Sequence, residues 1–564
     1  MKASAAALMV VTVAIYLPAL RGGFIWDDDD HLTGNSAVRS PDGLKRIWTS
    51  LAVSRYYPLT LTSFWAQHRL WGLRPLPYHA VNVALHVVNA LLLWTLLRRL
   101  DVRAAWAAAA VWAVHPVGVE TVAWITELKN TQSTFFLLLS LLSFLRFEDH
   151  TRRRDYPLAL VCGAAAMLSK PSTVVLPGLV LLCSWWRRKP IDWLRILPFF
   201  VLALGMSALT IVEQRHHIQH EGTSEWSLTA AQRLALTGRA VWFYAGKLLF
   251  PVNLSFIYPR WELPGTWLPL AGLATVAGAL WYFHQKQWAR AAVFGLGCFV
   301  VALLPVLGFF DIYYFMYSFV ADHFQYLASM ALIALVVSAI PRKLAVAVPL
   351  MLAVLAWKQT HAYQSSESLW RDTLRKNPDA WMAHINLGSV HQSRGEFAEA
   401  MAHYEQARQT KADCVEAYSN LGNALLELGR VPEAIARCEE ALRLKPDYAD
   451  AHSNLGNALL RAGRRAEAIG HYEQALHYRP DHADAHNNLG VALAQTGQWP
   501  EAMAHWQAAL QIRPDFVDAH FNLAAGLEQT GHVAEAMREY EQVLQLQPDH
   551  REARERLEHL RAAR

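Results

Sequence analysis

Cysteine is scarce and scattered. Cys162, Cys183, Cys298, Cys414 and Cys438 form no Cys-x-x-Cys pair and no framework of close spacings, so the chain encodes neither a metal-binding cysteine motif nor a disulfide scaffold. The first three fall in or beside apolar runs, where a small buried thiol is the ordinary role. Charge is also thin. The formal net charge is +5, spread along the sequence. No basic stripe with interleaved aromatics is present, which argues against a nucleic-acid partner. Before about residue 358 even polar stretches are short, and long apolar runs alternate with Arg-rich or Trp-rich loops. After it the sequence turns polar, Ala-rich and strictly periodic. That break, in a chain of 564 residues, divides it into a membrane half, 1–357, and a repeat half.

The membrane half opens with Ala3 to Leu20, almost wholly apolar and without a convincing small-x-small cleavage site before Arg21. It reads as an uncleaved span rather than a leader. Further runs near 80–97, 104–119, 132–147, 156–168, 173–186, 195–212, 264–283, 291–310, 324–340 and 343–357 bring the expectation to about eleven spans, several needing flanking residues to reach the length of a crossing. Basic residues set the orientation. With Lys2 inside, the alternate loops hold Arg98, Arg99 and Arg103, then Arg152 to Arg154, then Arg187, Arg188 and Lys189, then Lys286 and Arg290, then Arg342 and Lys343. The scheme requires 233–250 to be an interfacial helix, which Arg233, Arg239 and Lys247 beside Trp242, Phe243 and Tyr244 suit. The odd count then puts the repeat half outside the cytoplasm.

The outer loops gather the chemistry. Four consecutive aspartates, Asp27 to Asp30, follow the first run. Carboxylates beside hydrocarbon are costly, and so are functional candidates. Glu120, Glu127 and Lys129 lie in 115–131, Lys170 in the Ser169-Lys170-Pro171-Ser172 loop, Arg215 in 213–263, and Asp311, Asp322 and His323 in 311–323. Carboxylates and cations thus converge on one face from five loops, which predicts an outer-face enzyme.

The repeat half declares itself by period. Asn386-Leu387-Gly388 returns at Asn420, Asn454 and Asn488, each 34 residues on, with Asn522-Leu523-Ala524 as a fifth copy. Pro446, Pro480, Pro514 and Pro548 keep the same step, as do Ala400, Ala434, Ala468, Ala502 and Ala536. This is the tetratricopeptide pattern of stacked helix pairs. Repeats run over 381–414, 415–448, 449–482, 483–516 and 517–550. A connecting partial-repeat helix occupies 358–380, and a charged cap 551–564. The fold class is therefore all-α: a polytopic membrane bundle followed by an α-solenoid. An amide side chain both donates and accepts. Asn386, Asn420, Asn454, Asn488 and Asn522 could thus grip the backbone of a peptide acceptor; the alternative is that they satisfy neighbouring helices. His384, His452, His486 and His520 recur one per repeat, which reads against a metal site, and Tyr404, Tyr472, Tyr540 and Trp506 read as packing residues.

Asp27-Asp28 with Asn35, Tyr57-Pro58-Leu59-Thr60, Tyr78-His79-Ala80-Val81-Asn82 with His86, and His115-Pro116 with Glu120 form an ordered set. It continues through Glu127-x-Lys129, Ser169-Lys170-Pro171 and Lys247-Leu248-Leu249-Phe250-Pro251-x-Asn253-Leu254-Ser255. With trailing repeats, the whole chain resembles a bacterial relative of the transmembrane and tetratricopeptide-repeat-containing O-mannosyltransferases, of the GT-C superfamily. Asp322-His323 departs from it, standing where the animal members have Glu-Arg. The resemblance implies an inverting transfer of a hexose such as mannose from a polyprenyl-phosphate sugar to Ser or Thr of a protein acceptor. It also implies an inner-membrane protein with its repeats periplasmic.

In that chemistry a carboxylate takes a proton from the acceptor hydroxyl, best with a pKa moved toward ambient pH. Crowding and desolvation of acids move it that way. Asp28 is the expected base, with Asp27 next, while Asp29 and Asp30 read as a solvated turn. Lys129, Lys170 and Arg215 are the expected partners of the leaving phosphate. Glu120 is expected to orient the acceptor or a metal, and His79 and His86 to be satisfied membrane histidines. No cofactor is encoded with certainty. A divalent cation held by several carboxylates fits the acid content, although no segment has a binding-loop spacing. Two other readings are a catalytically inactive membrane-anchored scaffold and a transferase acting on a glycan or lipid.

Overall fold

The computed structural model describes residues 2–50, 57–150, 152–221, 228–263 and 267–562; the side chains of 214–221 and 342–346 lie outside the description. Every regular element among the described residues is helical. The chain divides into two compact units, Met1–Ala380 and Trp381–Arg564.

In the first unit three described helices are long and apolar enough to cross a membrane: Pro75–Arg99, Trp193–Glu213 and Gln287–Val306. Five more, Lys2–Tyr16, Asp155–Ser169, Pro171–Trp186, Leu268–Tyr282 and Ser329–Ala339, are apolar but shorter. At about 1.5 Å rise per residue they fall short of the roughly 30 Å hydrocarbon layer. Three clear spans, rather than about eleven, are what length and composition support. The stretch expected at the interface is helical over Ala230–Leu249, opened by a reciprocal capping box between Thr229 and Gln232.

Small residues let these helices approach closely. Leu128–His150 packs against Asp155–Ser169, where Ser140 Oγ donates to the Ala159 carbonyl at 2.7 Å. A Cβ on Gly163 would stand 2.9 Å from Leu176. Much of the polar face of Pro75–Arg99 is satisfied internally, although His79, expected to be satisfied like His86, has both ring nitrogens buried without a hydrogen-bond partner among the described residues. His86 bonds Tyr326 Oη at 2.8 Å and the Ala113 carbonyl at 2.9 Å. Asn82 Nδ2 donates to the carbonyls of Trp124 and Ile125, and Asn89 Nδ2 to that of Thr131. These bonds fix the loop 115–131 against the long helix.

The segment expected as a connecting partial repeat belongs to this first unit. Ser365 and Ser368 cap its helix, Ser366–Lys376. Trp370 packs edge-on to Phe256 at 5.4 Å, Lys376 Nζ donates to the Leu254 carbonyl at 2.6 Å, and Asn377 Nδ2 donates to the Ile257 carbonyl at 3.2 Å.

The second unit is five helix pairs, from Trp381–Ser393 with Phe397–Thr410 to Val517–Gln529 with Val533–Leu546, closed by Arg551–Ala562. Each pair turns on a glycine such as Gly395 at φ +76° or Gly531 at φ +82°, a conformation other residues adopt only with strain. The glycine of Asn-Leu-Gly has a different cause: a Cβ on Gly388 would lie 2.5 Å from the Tyr404 ring, and one on Gly456 2.6 Å from the Tyr472 ring. The recurring aromatics are buried, as their period implies.

Candidate active site

The acidic turn is built by its neighbours. Asn35 caps the short helix Ser36–Arg39, accepting from Ala37 N and Val38 N at 3.1 Å, and its Nδ2 donates to the Asp30 carbonyl at 3.1 Å. Asp29 and Asp30 are exposed, and Asp29 accepts from Thr33 Oγ1 at 2.5 Å. Asp27 and Asp28 are buried. Asp28 is wholly enclosed, with both carboxylate oxygens engaged. Its Oδ2 accepts from Ile25 N at 2.8 Å; its Oδ1 accepts from Thr126 N at 2.8 Å and from the Thr126 hydroxyl. Burial pushes its pKa up to about 7 against the pull of those donors.

Trp26, just before the acids, holds φ +45°, an uncommon value for a bulky residue. It is clamped by aromatics, stacked on Trp124 at 5.3 Å and edge-on to Phe256 at 5.2 Å and Tyr317 at 5.9 Å. The clamp fixes the direction in which the chain leaves toward Asp27.

One residue beyond Thr126 begins a second cluster. Glu127 is fully buried. Lys129 Nζ lies 3.0 Å from its Oε1, an ion-pair distance without hydrogen-bond direction, and Lys170 Nζ lies 3.9 Å from its Oε2. Burial alone would raise the Glu127 pKa; Lys129 and Lys170 outweigh it and bring it down to about 2. Lys170 Nζ also donates to Asn130 Oδ1 at 2.7 Å. Burial lowers the Lys170 pKa to about 8, with Lys129 adding repulsion and Glu127 opposing. Lys129 Nζ stands 5.3 Å over the ring of Trp124, the residue on which Trp26 stacks.

Asn130 Nδ2 donates to the His323 carbonyl at 3.1 Å and so joins a third cluster. His323 N and Nδ1 meet Glu120 at 3.2 and 2.7 Å. Tyr258 Oη donates to both oxygens of Asp322 at 3.1 Å. Burial raises both acids, Asp322 to about 7, and Asp322 and Glu127 push Glu120 further up. Burial holds His323 down at about 3, so its ring is neutral. Of the Asp-His departure, His323 is the residue that locks onto Glu120, while the Asp322 carboxyl is held by Tyr258.

Through Thr126 and Asn130 the structure joins Asp28, Glu127, Lys129, Lys170, His323 and Glu120, with Asp27 and Asp322 adjoining them in the chain. Asp311 is elsewhere, held by Arg233 at 2.9 Å. The Arg215 side chain lies outside the described residues. Thr126, Asn130 and Tyr258 carry the cluster without any motif to single them out. Among the described residues no group of three or more His, Cys, Asp or Glu side chains is arranged to hold a metal ion, so no step is assigned to a divalent cation.

In the repeats, the asparagines bond along the protein. Asn386 Nδ2 donates to the Met382 carbonyl at 2.9 Å. Asn454 donates to Ser419 Oγ, Asn488 to Asn457 Oδ1 and Asn522 to Asn487 Oδ1, each at 2.9 Å. These last three stitch one repeat to the one before. Asn420 is half-buried at the same register.

Fold and site together define a helical domain of membrane type, with a buried acid–cation cluster on its loops, followed by tetratricopeptide repeats. Residues 60–210 match the family described as dolichyl-phosphate-mannose-protein mannosyltransferase, and 350–413, 422–463, 453–517 and 517–550 match tetratricopeptide repeats. The relatives are protein O-mannosyl-transferases. The chain is 24% identical over 440 residues to protein O-mannosyl-transferase F38B6.6 of Caenorhabditis elegans, covering 71% of this chain and 61% of that one. It is 24% identical over 471 residues to protein O-mannosyl-transferase TMTC3 of Mus musculus, covering 72% and 51%. The chain therefore spans only about half to three-fifths of these relatives. Among solved structures, a thermophilic TPR protein of Thermus thermophilus, TTC0263, aligns with 32% of this chain and 98% of its own at 22% identity and a TM-score of 0.30.

Proposed function

We propose that the chain is a membrane glycosyltransferase that moves a hexose such as mannose from a polyprenyl-phosphate carrier to Ser or Thr hydroxyls of a protein acceptor, on the extracytoplasmic face, with inversion. The observation that carries the reading is the tether of Asp28 to Thr126, which brings the acidic turn beside the buried Lys129–Glu127–Lys170 group. An acid beside a pair of cations suits a reaction that removes a proton at one end and releases a phosphate at the other.

In this proposal the acceptor oxygen attacks the anomeric carbon in line with the departing phosphate. The new C–O bond forms as the sugar–phosphate C–O bond breaks. The hydroxyl proton passes to a carboxylate, and the phosphate leaves with the bonding pair. A base must lie within hydrogen-bond reach of that hydroxyl. Asp28 has both oxygens engaged and no exposed surface. We therefore assign the base to Asp27, which retains some exposure, and give Asp28 the task of fixing the turn. Lys129 and Lys170 would hold the phosphate, and Glu120, locked by His323, would orient the acceptor side. The bacterial inner membrane as location, and the repeats as an extracytoplasmic partner surface, belong to the same proposal.

The test is transfer by the purified full chain from a polyprenyl-phosphate hexose to a Ser/Thr-rich peptide, read as a hexose gain in mass. Transfer only to a glycan or lipid would move the reading to that acceptor class. No transfer to any acceptor, by protein that binds the donor, would favour the scaffold reading.

A further inference from the structure

The first unit contains a cavity of about 710 Å³ that the transfer chemistry does not use. Its floor is apolar, formed by Pro116, Pro251, Val252, Leu254 and Leu355. Its rim is cationic: Lys358, Arg371, Arg375 and Lys376 face a single lining carboxylate, Asp372. Asp372 is shared between Lys376, at 2.5 Å, and Arg375, and Arg371 pairs with Glu367 at 2.9 Å just outside the lining, so four cations meet two carboxylates and the rim keeps an excess of positive charge. Gln359, Asn253 and Ser368 add neutral donors.

The surroundings say which medium the cavity opens to. Leu350, Met351 and Val354 are exposed on the helix that ends at Thr360, and Phe250 and Val252 are exposed beside the cavity. Lys358 follows Val354 by one turn. An exposed apolar strip that gives way to a cation after one turn is how a helix meets the edge of a bilayer, with the charged head at the level of the lipid phosphates. Apolar floor, cationic rim and polar donors together match an amphiphile carrying one phosphate.

We propose that this cavity binds the phosphate headgroup of an anionic membrane phospholipid, with its acyl chains along the Leu350–Val354 strip. A free phosphate would leave the apolar floor without a partner. The proposal does not depend on the transferase reading, because these cations are distinct from Lys129 and Lys170.

The experiment uses the full chain in phosphatidylcholine nanodiscs containing a minor share of phosphatidylglycerol, with bound lipid identified by native mass spectrometry. The wild type should retain phosphatidylglycerol selectively, and Lys129→Gln should retain it equally. Each rim cation near a lipid phosphate is worth about fivefold in affinity. Arg371→Gln with Arg375→Gln should therefore weaken retention about 25-fold, and the exposed Lys358→Gln alone about fivefold. Retention unchanged in both variants, at an unchanged thermal midpoint, would overturn the proposal. So would displacement of the lipid by inorganic phosphate alone, which would mark a plain anion site. Selective retention of farnesyl phosphate in place of phosphatidylglycerol, lost in the same variants, would assign the cavity to a prenyl carrier and equally overturn it.

Discussion

Thr126 grips Asp28 twice, through its amide at 2.8 Å and through its hydroxyl, although 98 residues separate them. The contact joins the acidic turn to the loop that carries Glu127 and Lys129. In the proposed mechanism it also leaves Asp28, held by three donors, to position the turn and Asp27 to take the proton. Asp27→Asn should lower transfer about 100-fold or more with the thermal midpoint unchanged, because an amide of the same size cannot take the proton. Thr126→Val should instead lower the stability, by about 1.5–3 kcal/mol for a lost bond to a charged acceptor, seen as a lower thermal midpoint. Full activity in Asp27→Asn would return the base to Asp28.

The burial of Asp28 makes stability depend on pH in a defined direction. Its folded pKa is raised from about 3.8 to about 7. Between those values the folded state holds a proton that the unfolded state has lost. The contribution of Asp28 to stability therefore falls as pH rises from about 4 to 7, and is constant above. His323, buried neutral with its pKa lowered to about 3, acts with the opposite sign between 3 and 6.5, so the wild-type curve alone mixes the two. The difference between wild type and Asp28→Asn isolates the aspartate. That difference in midpoint should shift against the wild type across pH 4–7; a difference independent of pH would mean that Asp28 is ionised throughout.

Much of this architecture was legible in sequence, and the reasons are physical. The 34-residue step exposes the solenoid because each helix pair must place a small residue where its two helices cross, as Gly388 under Tyr404, Gly456 under Tyr472 and Gly490 under Trp506. The charged loops of the first half were legible because acids and lysines are rare beside apolar runs. Single hydrogen-bond partners were not. Thr126, Asn130 and Tyr258 are ordinary residues until the fold brings them to Asp28, Lys170 and Asp322. The histidines of the repeats were read one per repeat, yet His452 meets His471 at 3.0 Å and His486 meets His505 at 2.9 Å. The partner sits on the second helix, 19 residues away, a spacing that only the turn of each repeat brings together. The segment 358–380 has the look of a lone second repeat helix ending at Asn377-Pro378, and the tetratricopeptide match does include it; what the sequence does not say is what its apolar face covers, and Trp370 packs it on Phe256.

If Lys170 holds the donor phosphate, as proposed, donor binding depends on pH. Its pKa is lowered from 10.5 to about 8, chiefly by burial, so it carries its charge below 8 and loses it above. The Kd for a polyprenyl-phosphate hexose, a phosphodiester whose charge is constant in this range, should be flat from pH 6 to 7.5 and weaken as pH passes about 8. Lys170→Arg should keep binding at high pH, since a guanidinium stays charged, and Lys170→Met should bind weakly at every pH. A Kd with no break near 8 in the wild type would remove Lys170 from the phosphate site.

The asparagine ladder carries the last prediction. Asn454, Asn488 and Asn522 donate to Ser419, Asn457 and Asn487 of the preceding repeat. Each such neutral bond is worth about 0.5–1.5 kcal/mol net. Replacing all three by Ala should therefore loosen the solenoid by about 1.5–4.5 kcal/mol, seen as faster limited proteolysis of the repeats in the full chain. Transfer to a small acceptor should be unchanged, because the loop site lies in the other unit. The ratio of protein-acceptor to small-acceptor rates separates the two roles these residues can have. If proteolysis quickens and the ratio holds at subdenaturing temperature, the asparagines stitch repeats and do no more. If the solenoid keeps its resistance while the ratio falls, their amides grip the acceptor backbone, and the bonds between repeats are secondary.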